Sequence, residues 1–190
     1  MDAVQAAFDA APRARFLPRA ARSRASYDGP LPIGYGQTCS QPRTVAAMLR
    51  LLDVRPGQRV LDVGAGSGWT TALLGHLVGP TGLVVGVELV PALAARAERA
   101  VRRSTGSWAT VREAVAGVLG VPDLAPYDRI LVSADGGHVP AELLAQLADP
   151  GRMVLPAAGV MTMVERDSGE DWTSRHGHYR FVRLLEPPQE

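Results

Sequence analysis

Lysine is absent from this 190-residue chain: all 20 basic residues are arginine. Without a side-chain primary amine there is no Schiff-base chemistry, no lysine general base and no P-loop lysine. Cysteine is almost absent as well. The single Cys39 cannot close an internal disulfide, which points to a reducing, cytoplasmic setting. Four scattered histidines and one cysteine give no metal-ligand spacing, and no metal is expected. The start, Met1-Asp2-Ala3-Val4, has neither a basic n-region nor a long apolar run, so no secretory leader and no membrane span are expected. No charge dominates either: a net +1 lacks the basic excess of a nucleic-acid surface. What remains, 46% hydrophobic and 21% charged residues, suits a soluble globular chain long enough to bury a core. One domain and a monomer are expected, with residues 1–58 as an N-terminal extension, 59–157 as the core and 158–190 as edge strands and tail.

The informative stretch runs Arg59-Val60-Leu61-Asp62-Val63-Gly64-Ala65-Gly66-Ser67-Gly68. It reads as a buried strand that breaks into a glycine turn and opens a helix carrying Leu73, Leu74 and Leu77. Glycines let the main chain bend sharply and come close to a ligand. A dinucleotide fingerprint, G-x-G-x-x-G, wants its last glycine where Trp69 stands, because close helix–strand packing there sits beside a pyrophosphate. The indole disfavours NAD or FAD and suits the looser G-x-G-x-G of S-adenosylmethionine enzymes. A second strand, Leu83 to Val87, ends in Glu88, where a carboxylate can accept hydrogen bonds from both ribose hydroxyls.

Around this centre the pattern is doubly wound. Residues 2–11 suit a helix ended by Pro12, and 13–36 read as an irregular wrap. Leu31 to Pro42 reads as a functional loop and Val45 to Leu52 as an amphipathic helix. Further helices are expected over Pro91–Arg103, Ala114–Leu119 and Val139–Leu147. Strands are expected over Trp108–Val111, Asp128–Ser133 and Met153–Pro156. Val160–Glu165 and Tyr179–Leu185 read as an antiparallel pair closing the sheet edge, and the tail 186–190 as frayed. Arg96, Arg99, Arg102 and Arg103 recur at helical spacing as an exposed face.

Three segments carry a family likeness. The loop Pro32-Ile33-Gly34-Tyr35-Gly36-Gln37-Thr38-Cys39-Ser40-Gln41-Pro42, the run Val60–Gly68, and Pro126-Tyr127-Asp128-Arg129-Ile130 followed by Val139-Pro140 and Gly151-Arg152 resemble the protein-L-isoaspartate O-methyltransferases. The likeness spans roughly Val4 to Pro156. It implies an α/β, Rossmann-like S-adenosylmethionine-dependent enzyme with a mostly parallel sheet, an antiparallel C-terminal strand pair and an N-terminal extension of helices and loop. It also implies a cytoplasmic enzyme that methylates the free carboxylate of isoaspartyl residues in damaged proteins or peptides, after which the ester closes to a succinimide. By position, Ser40 matches the active-site serine, and Gln37, Thr38, Cys39 and Ser40 match the segment that closes on the cofactor. Gly64, Ala65, Gly66, Ser67, Gly68 and Glu88 match the cofactor site, to which Asp62, Ala116 and Gly117 are added. The chain departs where the family has Gly-Asp-Gly after the third strand, reading Glu113-Ala114-Val115-Ala116-Gly117, and Cys39 stands at a usually aliphatic position.

The chemistry agrees with sparse equipment. A carboxylate is ionised at neutral pH and attacks a sulfonium methyl without a general base, so Ser40 would orient the acceptor and not act as nucleophile. Ser40 also reads as an N-cap for the following helix. Asp62 reads equally as a structural acid or as a group near the methionyl amine. Asp135 reads as turn chemistry before a Mg²⁺ ligand, and His176 with His178 as a surface pair. Two rivals stay open: an enzyme tailoring aspartate in one precursor peptide, and a non-catalytic binder on the same fold.

Overall fold

The computed structural model describes residues 2–184. In chain order its elements are α1 (Ala3–Ala10), β1 (Leu31–Gly34), β2 (Gln37–Cys39), α2 (Pro42–Leu52), β3 (Arg59–Val63), α3 (Trp69–Val78), β4 (Leu83–Glu88), α4 (Pro91–Ser104), β5 (Ala109–Glu113), β6 (Tyr127–Val132), α5 (Ala141–Leu144), β7 (Leu147–Ala157), β8 (Val160–Asp167) and β9 (Glu170–His178). Seven strands form one sheet in the order β5-β4-β3-β6-β7-β8-β9. The first five of these run parallel, and β8 and β9 are antiparallel. The chain therefore winds outward from β3 to β5 and then returns to β6 on the other side of β3. That reversal opens a crevice at the carboxyl ends of β3, β4 and β6, where open α/β sheets bind ligands.

Strand alternation sorts the core. Val60 packs with α1 to α4 on one face, and Leu61 and Val63 pack on the other with Val85, Val87, Ile130 and Leu143. Helix α3 is buried almost all round because α1 covers its outer side. The indole of Trp69 packs edge-on to Phe8 at 5.3 Å and donates Nε1–H to the Ala11 carbonyl at 2.9 Å. Among the described residues no helix is long and apolar enough to cross a membrane.

Several boundaries differ from the sequence reading, each for a local reason. The wrap over 13–36 contains two 3-10 helices, Arg13–Phe16 and Arg19–Arg24, each entered from a proline with φ near −55°. Residues 31–39 form a β-hairpin instead of an irregular loop, since Leu31 and Ile33 bury alternately and Gly34, Tyr35 and Gly36 take positive φ at the turn. Ala114–Leu119 is not a helix: Gly117 and Gly120 at φ +70° and +83° turn the chain instead. The helix expected over 139–147 shrinks to Ala141–Leu144, because Leu147 already pairs with Tyr127. β7 is longer than expected, and the last strand among the described residues is Glu170–His178, ahead of the expected Tyr179–Leu185, whose described part, 179–184, forms no strand of the sheet. Two-residue turns with both φ positive, Ala158-Gly159 and Ser168-Gly169, fix these hairpins. Leu185 and the tail 186–190 lie outside the described residues.

Candidate active site

Four amides of the glycine turn already have partners. The N–H groups of Gly64 and Ala65 both donate to the Val87 carbonyl at 3.0 Å, Gly68 donates to Ala65 at 2.8 Å, and Gly66 donates to the Glu88 carboxylate at 2.7 Å. A phosphate cradle needs its amides free, and these four are already engaged. Gly68 has φ +82°, and a Cβ there would sit 2.9 Å from Val101 and 3.1 Å from Ala97. Its glycine is demanded by packing against α4.

One open cavity lies over the carboxyl ends of the central strands. Its floor is Gly64, Ala65, Gly66 and Ser67, with Glu88 at the tip of β4; its roof is Gln37 to Ser40, the outgoing end of the hairpin. Glu88 is 7% exposed, and its second carboxylate oxygen accepts from the Val90 amide at 2.9 Å. Each oxygen thus holds one main-chain donor and keeps a lone pair for a ligand. Ser133 also lines the cavity, and its buried Oγ has no hydrogen-bond partner. Helix α2 is capped by Gln41 without a side-chain bond, so Ser40 is not its N-cap.

Not every expected residue reaches the cavity. Asp62 is fully buried behind the turn, on the face toward α3, where its Oδ2 accepts from the Thr71 hydroxyl at 2.6 Å and its Oδ1 has no partner. Burial pushes its carboxyl up to about 6, the Thr71 and Thr70 hydroxyls oppose this, and the nearby Glu88 charge adds to it. Gly68 lies below the floor. Ala116 and Gly117 are exposed on the turn after β5 and stand off the lining. The wall there is made by Ala114, Val118, Leu119 and Gly120. Buried Gln146 fixes this wall: its amide donates to the Leu119 carbonyl at 2.8 Å and accepts from the Val121 N–H at 2.8 Å.

The remaining wall was invisible in the sequence. Val182, Arg183 and Leu184 line the cavity, hooked onto Asp135 by two main-chain bonds of 2.8 and 2.9 Å. The Asp135 carboxylate accepts from the amides of Gly137, Ala158 and Gly159 at 2.7 to 3.0 Å. Partial burial raises its pKa, but these three donors hold it below the ordinary value. Asp135 is therefore turn chemistry, and among the described residues no three His, Cys, Asp or Glu side chains are grouped to hold a metal. Glu88 and Arg183 are the two charged residues of the lining. Arg96, read as part of an exposed face, instead donates to the Ile33 carbonyl at 2.9 Å and holds the hairpin.

Sheet order, a glycine turn at the switch point and an acid at the tip of β4 define a Rossmann-like fold of the S-adenosylmethionine-dependent methyltransferase class. The family described as protein-L-isoaspartate(D-aspartate) O-methyltransferase (PCMT) matches residues 1–187. The chain belongs to this family. The protein-L-isoaspartate O-methyltransferase of Methanopyrus kandleri is 46% identical over 180 residues, 92% of this chain and 79% of the relative. That of Anaeromyxobacter dehalogenans strain 2CP-1 is 47% identical over 194 residues, 99% of this chain and 90% of the relative. A solved protein-L-isoaspartate O-methyltransferase superposes with a TM-score of 0.86 at 28% identity over 97% of this chain, which spans 62% of that longer molecule. A Plasmodium falciparum chain bearing the PCMT name, in complex with S-adenosyl-L-homocysteine, shares the fold with a TM-score of 0.84 at 24% identity, covering 97% of this chain and 91% of that one.

Proposed function

We propose that this chain transfers a methyl group from S-adenosylmethionine to the free carboxylate of L-isoaspartyl residues in proteins or peptides. The observation that carries the reading is that Ser40, at the end of the hairpin, faces the same cavity as the glycine turn and Glu88. The residues present fit the cofactor. Glu88 keeps one acceptor site on each oxygen for the two ribose hydroxyls, Leu89, Val118 and Leu119 offer apolar surface to adenine, and the orphaned Ser133 Oγ offers a further polar contact. Bound there, S-adenosylmethionine supplies an electrophilic methyl: the acceptor oxygen bonds to that carbon as the carbon–sulfur bond breaks and its electron pair stays on sulfur.

The chain's own part is positioning. The acceptor is already an anion, so no side chain need remove a proton. The Ser40 hydroxyl donates to one carboxylate oxygen and leaves the other to react, while Gln37 to Ser40 shield the site from water. Holding two reactants in line can supply ~7–11 kcal/mol of the barrier. Arg183, the cation of the lining, draws the anionic acceptor toward a cavity whose other charge is the acid Glu88. The setting we propose is a reducing cytoplasm, in which the buried Cys39 stays a free thiol. The test is to incubate the purified protein with tritiated S-adenosylmethionine and an isoaspartyl peptide beside its aspartyl twin. Selective labelling of the first is expected; equal labelling of both, or none, removes the reading.

A further inference from the structure

Arg13 is 5% exposed, and among the described residues no carboxylate pairs with its guanidinium. Five main-chain carbonyls surround it instead. Nη1 donates to Ala25 at 3.4 Å and Tyr27 at 2.9 Å; Nη2 donates to Gly29 at 2.8 Å, Cys39 at 2.9 Å and Ser40 at 2.8 Å. Ala25 to Gly29 lead into the hairpin, and Cys39 and Ser40 lead out of it. One fork thus ties both ends of the hairpin together. The same guanidinium lies 5.4 Å from the centre of the Trp69 ring, and Trp69 both lines the cavity and bonds Ala11, two residues before Arg13.

We propose that Arg13 is a positioning residue for methyl transfer, fixing the Ser40 segment over the cofactor turn before any ligand arrives. The strap from Ala11 to Arg13 joins the first residue of α3, beside the turn, to the carbonyl of Ser40. A buried charge is costly unless bonded, and here both Nη groups of the planar fork are bonded while the buried Nε–H has no partner. The two Nη groups bring four N–H donors in one plane to these carbonyls; a lysine ammonium in the same place offers three from a single point and cannot reach all five. The Ser40 carbonyl is held by Arg13, which fixes the main chain from which its hydroxyl projects. Released, the roof would drift, and a misplacement of ~1 Å can cost on the order of 100-fold in rate.

The inference rests on the proposed activity, in which Ser40 orients the acceptor, and its test separates the two. Selective labelling by the wild-type enzyme tests the activity. Arg13→Lys then tests the strap: turnover on the isoaspartyl peptide is expected to fall roughly 10- to 100-fold, with S-adenosylhomocysteine affinity by calorimetry within about threefold of wild type. The double variant R13K/S40A should turn over within roughly twofold of S40A alone, because Arg13 acts through Ser40 and independent defects would multiply. Wild-type turnover in R13K, or losses that multiply in the double variant, overturns the proposal. Should R13K not fold, hydrogen exchange on the wild-type protein decides. Amides of residues 37–41 are expected to be as protected without S-adenosylhomocysteine as with it, and fast exchange in the ligand-free enzyme is the contrary result.

Discussion

Asp62 should make the protein less stable as pH rises from 4 to 6. Its carboxyl is fully buried, with Oδ2 accepting from Thr71 and Oδ1 without a partner, and burial, against the Thr71 and Thr70 hydroxyls, raises its pKa from 3.8 to about 6. Below pH 4 the group is protonated in folded and unfolded chains alike and costs nothing. Between 4 and 6 the unfolded chain releases the proton while the folded chain keeps it, so stability falls with each step in pH. Above 6 both are ionised and the loss is complete. At roughly 1.4 kcal/mol for each tenfold change in proton affinity, the loss is about 3 kcal/mol. Asp62→Asn preserves a carbonyl acceptor for Thr71 and cannot ionise. Urea unfolding of both proteins from pH 4 to pH 8 would give a difference curve that climbs by up to ~3 kcal/mol in favour of the variant and flattens above pH 6. Any constant offset from repacking drops out. A difference curve that is level across this range, or that climbs in the wild type's favour, refutes the reasoning.

Ser40→Ala should cut methyl transfer by roughly 10- to 100-fold while leaving S-adenosylhomocysteine affinity nearly intact; unchanged turnover in the tritium assay would show that the hydroxyl orients nothing. Glu88→Gln loses a charged acceptor that serves two amides and faces the cavity, so calorimetry should find S-adenosylhomocysteine binding weaker by about tenfold or more, ~1.4 kcal/mol at least. Retained affinity would mean that the ribose lies elsewhere. Arg183→Gln should raise the KM for an isoaspartyl peptide several-fold at low salt and by less at high salt, with kcat nearly constant, since the side chain acts by long-range attraction. A KM that ignores ionic strength in the wild type is the adverse outcome.

The parts of this molecule that the sequence disclosed are those where neighbours in the chain are neighbours in the fold. The run 60–63, its glycine turn and the acid at 88 follow from period and spacing alone. The hairpin at 31–39 was hidden because Pro32 and the turn residues 34–36 suit no strand by propensity; the buried faces of Leu31 and Ile33 decide its form. Strand β9 was missed because an edge strand exposed on both faces carries no alternation to read. Arg13 and Gln146 are harder still. Apart from the Glu142 carbonyl, which accepts from Gln146 four residues on, their partners stand 12 to 27 residues away in sequence, and a lone arginine or glutamine on a surface-looking segment gives no local sign that its side chain turns inward. The same holds for residues 182–184, which are brought to the cavity by a bridge to Asp135.

That bridge changes what residues 182–184 mean. Segments that lie past the last strand of a sheet are commonly poorly ordered unless something ties them down. Here the loss of residues 182–184 would remove two main-chain bonds to Asp135, one side of the cavity and the basic residue of its lining in a single event. A cut before Val182 would thus reach the cavity directly, although every strand of the seven-stranded sheet lies upstream of it.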